Sequence, residues 1–97
     1  MFRMIIESDH EKLMREGKYS PEAFDTLVRD ICLDTKFIEE SKNIYTFGNE
    51  NAALGRMIVL KAKFYKLGDI VPNLLKWTTF WEDEGEVDEL AVARRHY

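Results

Sequence analysis

The stretch Phe37-Ile38-Glu39-Glu40-Ser41-Lys42-Asn43-Ile44-Tyr45-Thr46-Phe47 decides the fold. Its two halves, Phe37–Glu40 and Asn43–Phe47, are rich in aromatic and β-branched residues, with the polar pair Ser41-Lys42 between them. Two such runs around a short polar break read as a β-hairpin. Both flanks of the hairpin are helical. On the N-terminal side, Ser20 offers a side-chain oxygen to the free amides of a first turn, and Pro21 stands where a missing amide hydrogen costs nothing. Phe24, Leu27, Val28, Ile31 and Cys32 then recur at helical spacing within Pro21–Asp34, and Asp25 and Arg29 form a pair one turn apart on the other side. On the C-terminal side, Asn49 caps a helix over Glu50–Lys66, stopped by Gly68. Ala53, Met57, Leu60 and Phe64 form its core stripe. Leu54, Ile58, Ala62 and Tyr65 form a second apolar stripe, which one helix on one sheet does not need.

Strands lie further out. Phe2, Met4 and Ile6 alternate with Arg3, Ile5 and Glu7, which is the period of a strand over Phe2–Glu7. Leu74–Trp81 alternates in the same way and follows an extended connector at Val71-Pro72. Ser8-Asp9-His10-Glu11 fits a capping box with Ser8 as the cap, opening a short helix that ends at Gly17. Val87–Arg95 carries weak helical signals. Strand, helix, hairpin, helix, strand is the split βαβ order. The expected fold is therefore α+β and ferredoxin-like (βαββαβ), a single domain over residues 1–97 with an acidic C-terminal segment at 82–97. The sheet is expected to be antiparallel with four strands, and the helices to cover one face.

Composition narrows the function classes. Hydrophobic residues make up 45% of the 97, enough for a core, and the longest apolar runs are far too short to span a membrane. The opening Met1–Ile6 lacks the architecture of a signal peptide, and the lone Cys32 cannot form an internal disulfide. These features lead us to expect a cytoplasmic protein. The net charge of −4 is local: six of the eighteen acidic residues fall in Glu82–Glu89, and the remainder carries a net +2. A body so near neutrality exerts no strong pull on nucleic acid.

Few residues carry chemistry. Glu7, Asp9 and Glu11 cluster at the end of the first strand, where carboxylates hold Mg²⁺ against a phosphodiester in some enzymes and cap helices in many more. His10 and His96 have no partner at metal-ligand spacing and are expected to face solvent. Cys32 lies on an apolar helix face, as a small hydrophobe would. Arg56, Lys63 and Lys66 share a helix side that either meets phosphates or is simply solvated. Tyr45 and Phe47 sit on a strand where they either stack bases or pack the core. Glu82–Glu89 is either a solubilising terminus, a phosphate mimic or a contact for a basic partner.

From Met1 to about Ala93 the chain resembles the virulence-associated protein D family. The likeness rests on Met1-Phe2-Arg3-Met4-Ile5-Ile6-Glu7, Glu11-Lys12-Leu13-Met14, Tyr19 with Ala23-Phe24-Asp25, Ile44-Tyr45, Asn49-Glu50-Asn51 and Phe80-Trp81-Glu82-Asp83, taken in order. Members are small bacterial ferredoxin-like dimers related to the CRISPR adaptation nuclease subunit, and some are endoribonucleases in toxin–antitoxin settings. The family's strand-ending aspartate corresponds here to Glu7, and its glutamine-x-serine hairpin motif to Ser41-Lys42-Asn43. The resemblance implies a metal-assisted endoribonuclease, with Glu7 binding Mg²⁺ or Mn²⁺, Asp9 and Asn43 as further catalytic candidates, and RNA and an antitoxin-type protein as partners. The alternative is a non-catalytic dimeric protein-binding module that kept the fold and lost the chemistry. A homodimer is expected on either reading, through Leu54, Ile58 and Tyr65 or through a Trp77/Trp81 face.

Overall fold

A computed structural model describes residues 1–95. The expectation for His96 lies outside the described residues. The strands are β1 (Phe2–Ser8), β2 (Ile38–Ser41), β3 (Ile44–Phe47), β4 (Leu74–Trp81) and β5 (Gly85–Asp88). The helices are α1 (His10–Glu16), α2 (Pro21–Asp34), α3 (Glu50–Leu67) and α4 (Glu89–Arg94). The strands form one sheet in the order β2-β3-β1-β4-β5, and every neighbouring pair is antiparallel. The fold is thus mixed α+β around an antiparallel sheet of five strands rather than the four expected.

The extra strand is β5. It pairs with β4 from Thr78↔Asp88 to Trp81↔Gly85, closing a hairpin over Glu82-Asp83-Glu84. Gly85 takes φ +74°, the left-handed conformation that a three-residue hairpin loop asks of its closing residue. The acidic segment is therefore structured through α4, whose cap is the Asp88 carboxylate accepting from the Ala91 amide at 3.1 Å.

Alternation puts Phe2, Met4 and Ile6 of β1 on the core face, each 3% exposed or less, and leaves Arg3, Ile5 and Glu7 on the other. Tyr45 and Trp77 join that core from the flanking strands, and buried residues of all four helices belong to the same cluster. On α3 the buried positions are Ala53, Met57, Leu60 and Phe64, the stripe read from the sequence. Burying one such large side chain is worth about 1.5–3 kcal/mol. No helix among the described residues is long and apolar enough to cross a membrane.

Four local expectations are corrected. Asp9, not Ser8, caps α1: its carboxylate accepts from the Lys12 amide at 3.1 Å, because β1 runs on through Ser8. The hairpin turns at Lys42-Asn43, with Asn43 at φ +69°, a conformation asparagine tolerates better than serine. Val71–Asn73 is a 3₁₀ turn, not an extended connector. Asp25 and Arg29 do not pair with each other; each reaches a partner from another element.

Candidate functional site

The end of β1 and the β2–β3 turn meet, since the Ile6 amide donates to the Asn43 carbonyl at 2.9 Å. Glu7 lies one residue further on, half-buried on the open side of the sheet and opposite Lys76 in register. Asp9 comes next, but its carboxylate is engaged in capping α1, and its amide donates to the Asn73 carbonyl at 2.8 Å. The fold thus brings Glu7 and Asn43 to one end of the sheet and diverts Asp9 to a structural task. Among the described residues no three His, Cys, Asp or Glu side chains are grouped to hold a metal ion. The Glu7 carboxylate and the Asn43 side-chain amide, both at this end, make no side-chain hydrogen bond or ion pair among the described residues. A hard cation wants several oxygens, so a metal at Glu7 would complete its shell with water, a substrate or a second chain.

Beside this end lies an arrangement that sequence reading missed. His10 Nε2 sits 2.8 Å from Asp25 Oδ2, tying α1 to α2 across a partly exposed surface. Asp25 also borders a depression of about 150 Å³ whose walls include Arg29, Lys42, Asn43 and Tyr45. Arg29 is committed: its Nε donates to both Glu39 carboxylate oxygens at 3.0–3.1 Å, which holds its guanidinium pKa above the ordinary value. Burial drives the Tyr45 phenol well above its usual range, so it stays protonated. Burial, then the nearby Glu39 carboxylate, pushes the Cys32 thiol up to about 12, which fits a packing role and not a nucleophile. No local motif announces the His10–Asp25 contact, because only tertiary folding joins two residues fifteen apart on separate helices.

The remaining candidates sort by face. Trp77 is fully buried against Phe64, and its Nε1 donates to Met4 Sδ, so it offers no surface to a second chain. Trp81 is half-buried edge-on against Phe2. Tyr65 is half-buried against the core. Leu54 and Ile58 stand out at 58% and 65% exposure. Tyr45 and Phe47 point into the core side, away from any base that could stack on the open face. Lys63 of the basic side is paired with Asp34 at 2.6 Å, which lowers that carboxylate's pKa.

Among the described residues, two apolar surfaces line depressions. The first is the open face of the sheet, where Ile5, Ile44 and Phe80, with Met1 and Arg3, line a shallow depression of about 410 Å³. Ile38, 61% exposed, extends it, and the Arg3–Glu40 ion pair at 3.3 Å crosses it. The second runs along α3 beside the C-terminal arm. Its floor is anchored by a polar chain: Trp81 Nε1 donates to Thr79 Oγ1, Thr79 Oγ1 donates to Glu89 Oε2, both at 2.8 Å, and Lys61 Nζ pairs with Glu89 Oε1 at 2.9 Å. Glu89, only 3% exposed, is thus a buried carboxylate with both oxygens satisfied, as such a group requires. Comparison with protein-family models, curated proteins and solved structures gives no match.

Proposed function

We propose that this chain is a non-catalytic protein-binding module that works as a homodimer, with the open face of its sheet as the self-contact. One observation carries the reading: among the described residues, no helix residue lines the depression that Ile5, Ile44 and Phe80 form on the open face. A contiguous apolar patch of this kind marks an interaction site, and two-fold dimers are the commonest closed assembly. The Arg3–Glu40 pair, whose arginine lines the depression, gives a second copy charges of both signs to match. This moves the expected self-contact off Leu54 and Ile58 and away from the buried Trp77. The ferredoxin-like reading belongs to the same proposal. In it, β2-β3-β1-β4 is the split βαβ core, and β5 with α4 is an added arm.

The use of an Asp9 carboxylate oxygen to cap α1 favours this reading over catalysis. A second reading, metal-assisted cleavage of RNA as in the virulence-associated protein D family, is favoured by the shared position of Glu7 and Asn43 at one sheet end. Incubation with mixed RNA and Mg²⁺ or Mn²⁺, beside Glu7→Gln, separates the two. The binding-module reading expects no cleavage by either protein. Cleavage by the wild type that Glu7→Gln abolishes would overturn it and install Glu7 as the metal ligand.

A further inference from the structure

We infer that the groove between α3 and the C-terminal arm docks a basic amphipathic helix from another protein. The inference rests on the binding-module reading and names the partner's chemistry. The groove is made of two joined depressions of about 170 and 240 Å³, which share Leu54, Trp81 and Glu84 as walls. Ile58, Val87 and Val92 continue the apolar lining. Each depression is below the ~300–1,000 Å³ that drug-sized ligands occupy. They suit single anchor side chains instead. Leu54 and Ile58 lie one helical turn apart on α3, so anchors spaced i, i+4 on a helix laid alongside would fall against them.

Charge selects among the occupants. The six acidic residues of Glu82–Glu89 have different tasks. Glu82 pairs with the N-terminal ammonium, Asp88 caps α4, and Glu89 is tied to Lys61 and Thr79. Glu86 stands opposite Phe80 on β5. Asp83 and Glu84 line the groove, and like Glu86 their side chains make no hydrogen bond or ion pair among the described residues. Glu50 adds a third carboxylate to the rim, held in place by the Glu82 amide at 3.0–3.1 Å. Lys61, the one lysine among the described residues that line the groove, is already neutralised by Glu89. An apolar floor under an acidic rim repels a second copy of itself and any nucleic acid, and attracts a helix whose apolar stripe is flanked by Lys or Arg. Glu89 keeps the surface rigid, because it fastens the arm that forms one wall to the α3 that forms the other.

The test uses the whole chain and a fluorescein-labelled eighteen-residue helical peptide, with leucines at helical spacing and flanking lysines. A control peptide carries glutamates in place of the lysines. Anisotropy reports binding, and Trp81, which lines both depressions, reports the site by its emission. We expect saturable binding of the lysine peptide, at least tenfold weaker for the glutamate peptide. The same loss is expected for Leu54→Ser/Ile58→Ser and for Asp83→Asn/Glu84→Gln, all exposed positions that leave the melting temperature unchanged. Equal binding of both peptides, no loss in either variant, or no binding at all would overturn the inference. Dissociation of a wild-type dimer by Leu54→Ser/Ile58→Ser would also overturn it, by giving the groove to a second copy. An intact dimer that binds no peptide sinks this inference alone, whereas RNA cleavage lost in Glu7→Gln sinks the binding-module reading beneath it.

Discussion

Lys61→Met should destabilise the protein more than Glu89→Gln, although both break the same ion pair. The pair joins α3 to α4 at 2.9 Å, but its ends differ: the lysine side chain is 29% exposed and the glutamate 4%. Lys61→Met leaves a carboxylate in the interior with only the Thr79 hydroxyl for company. Leaving one charge of a buried pair uncompensated costs about 3–5 kcal/mol. Glu89→Gln keeps an acceptor for Thr79 and leaves an ammonium whose flexible stem reaches water, so the cost falls to roughly 1.5–3 kcal/mol, that of one hydrogen bond to a charged group. Urea unfolding at pH 7, followed by far-UV circular dichroism at fixed protein concentration, measures both. At about 4–8 °C per kcal/mol for a domain of this size, melting temperatures should separate the variants clearly. Lys61→Met/Glu89→Leu should be less destabilised than Lys61→Met alone, because the stranded charge is gone. A Glu89→Gln cost equal to or above that of Lys61→Met, or strictly additive effects, would refute the assignment of Glu89 as a buried, charged anchor.

Three further outcomes follow from burial and charge. Cys32, with its thiol pushed up to about 12 by burial, should react with a thiol reagent at pH 8 only as fast as the chain unfolds, and rapid labelling in native buffer would contradict its placement. Leu60→Ala should cost about 2–5 kcal/mol in urea unfolding while Leu54→Ala stays within about 0.5 kcal/mol, since the first empties the core and the second trims the surface. Asp69, held below the ordinary carboxylate value by the Lys18 ammonium and then the Tyr19 hydroxyl, has a depressed folded pKa. Its contribution is present above the unfolded value near 3.8 and is lost as pH falls through the folded one. The stability gap between wild type and Asp69→Asn should therefore be open at pH 6 and narrow as the pH falls below 3.8, and a gap that widens in acid would contradict the pairing.

Local periodicity carried most of the architecture. The β1 alternation, the Ser20-Pro21 start of α2 and the Ala53-Met57-Leu60-Phe64 stripe are one-dimensional signals, and each element formed where its signal lay. β5 escaped notice because two of its four residues are acidic, and charge reads as surface. The usable clue was Gly85 after a three-residue polar break, which is hairpin chemistry. The partners of charged residues were not legible. Asp25 and Arg29 satisfied a helical pair rule, yet His10 and Glu39 won them, because side chains from other elements came within reach only on folding. The same limit hid the task of Glu89. It ends an acidic stretch of sequence, whereas its neighbours in space are Thr79 and Lys61. Trp77 illustrates the reverse error: alternation placed it correctly on a strand face, but did not tell which face the helices cover.

The measurement that bears most directly on the proposed function is molar mass by light scattering across a concentration series, for the wild type, Ile44→Ser/Phe80→Ser and Leu54→Ser/Ile58→Ser. Self-association through the open sheet face predicts a wild-type mass of twice the 11.5 kDa chain. It predicts reversion to the single-chain mass in Ile44→Ser/Phe80→Ser, with the dimer intact in Leu54→Ser/Ile58→Ser. A wild type that stays at 11.5 kDa at the highest concentration, or a dimer that survives loss of Ile44 and Phe80, would contradict it.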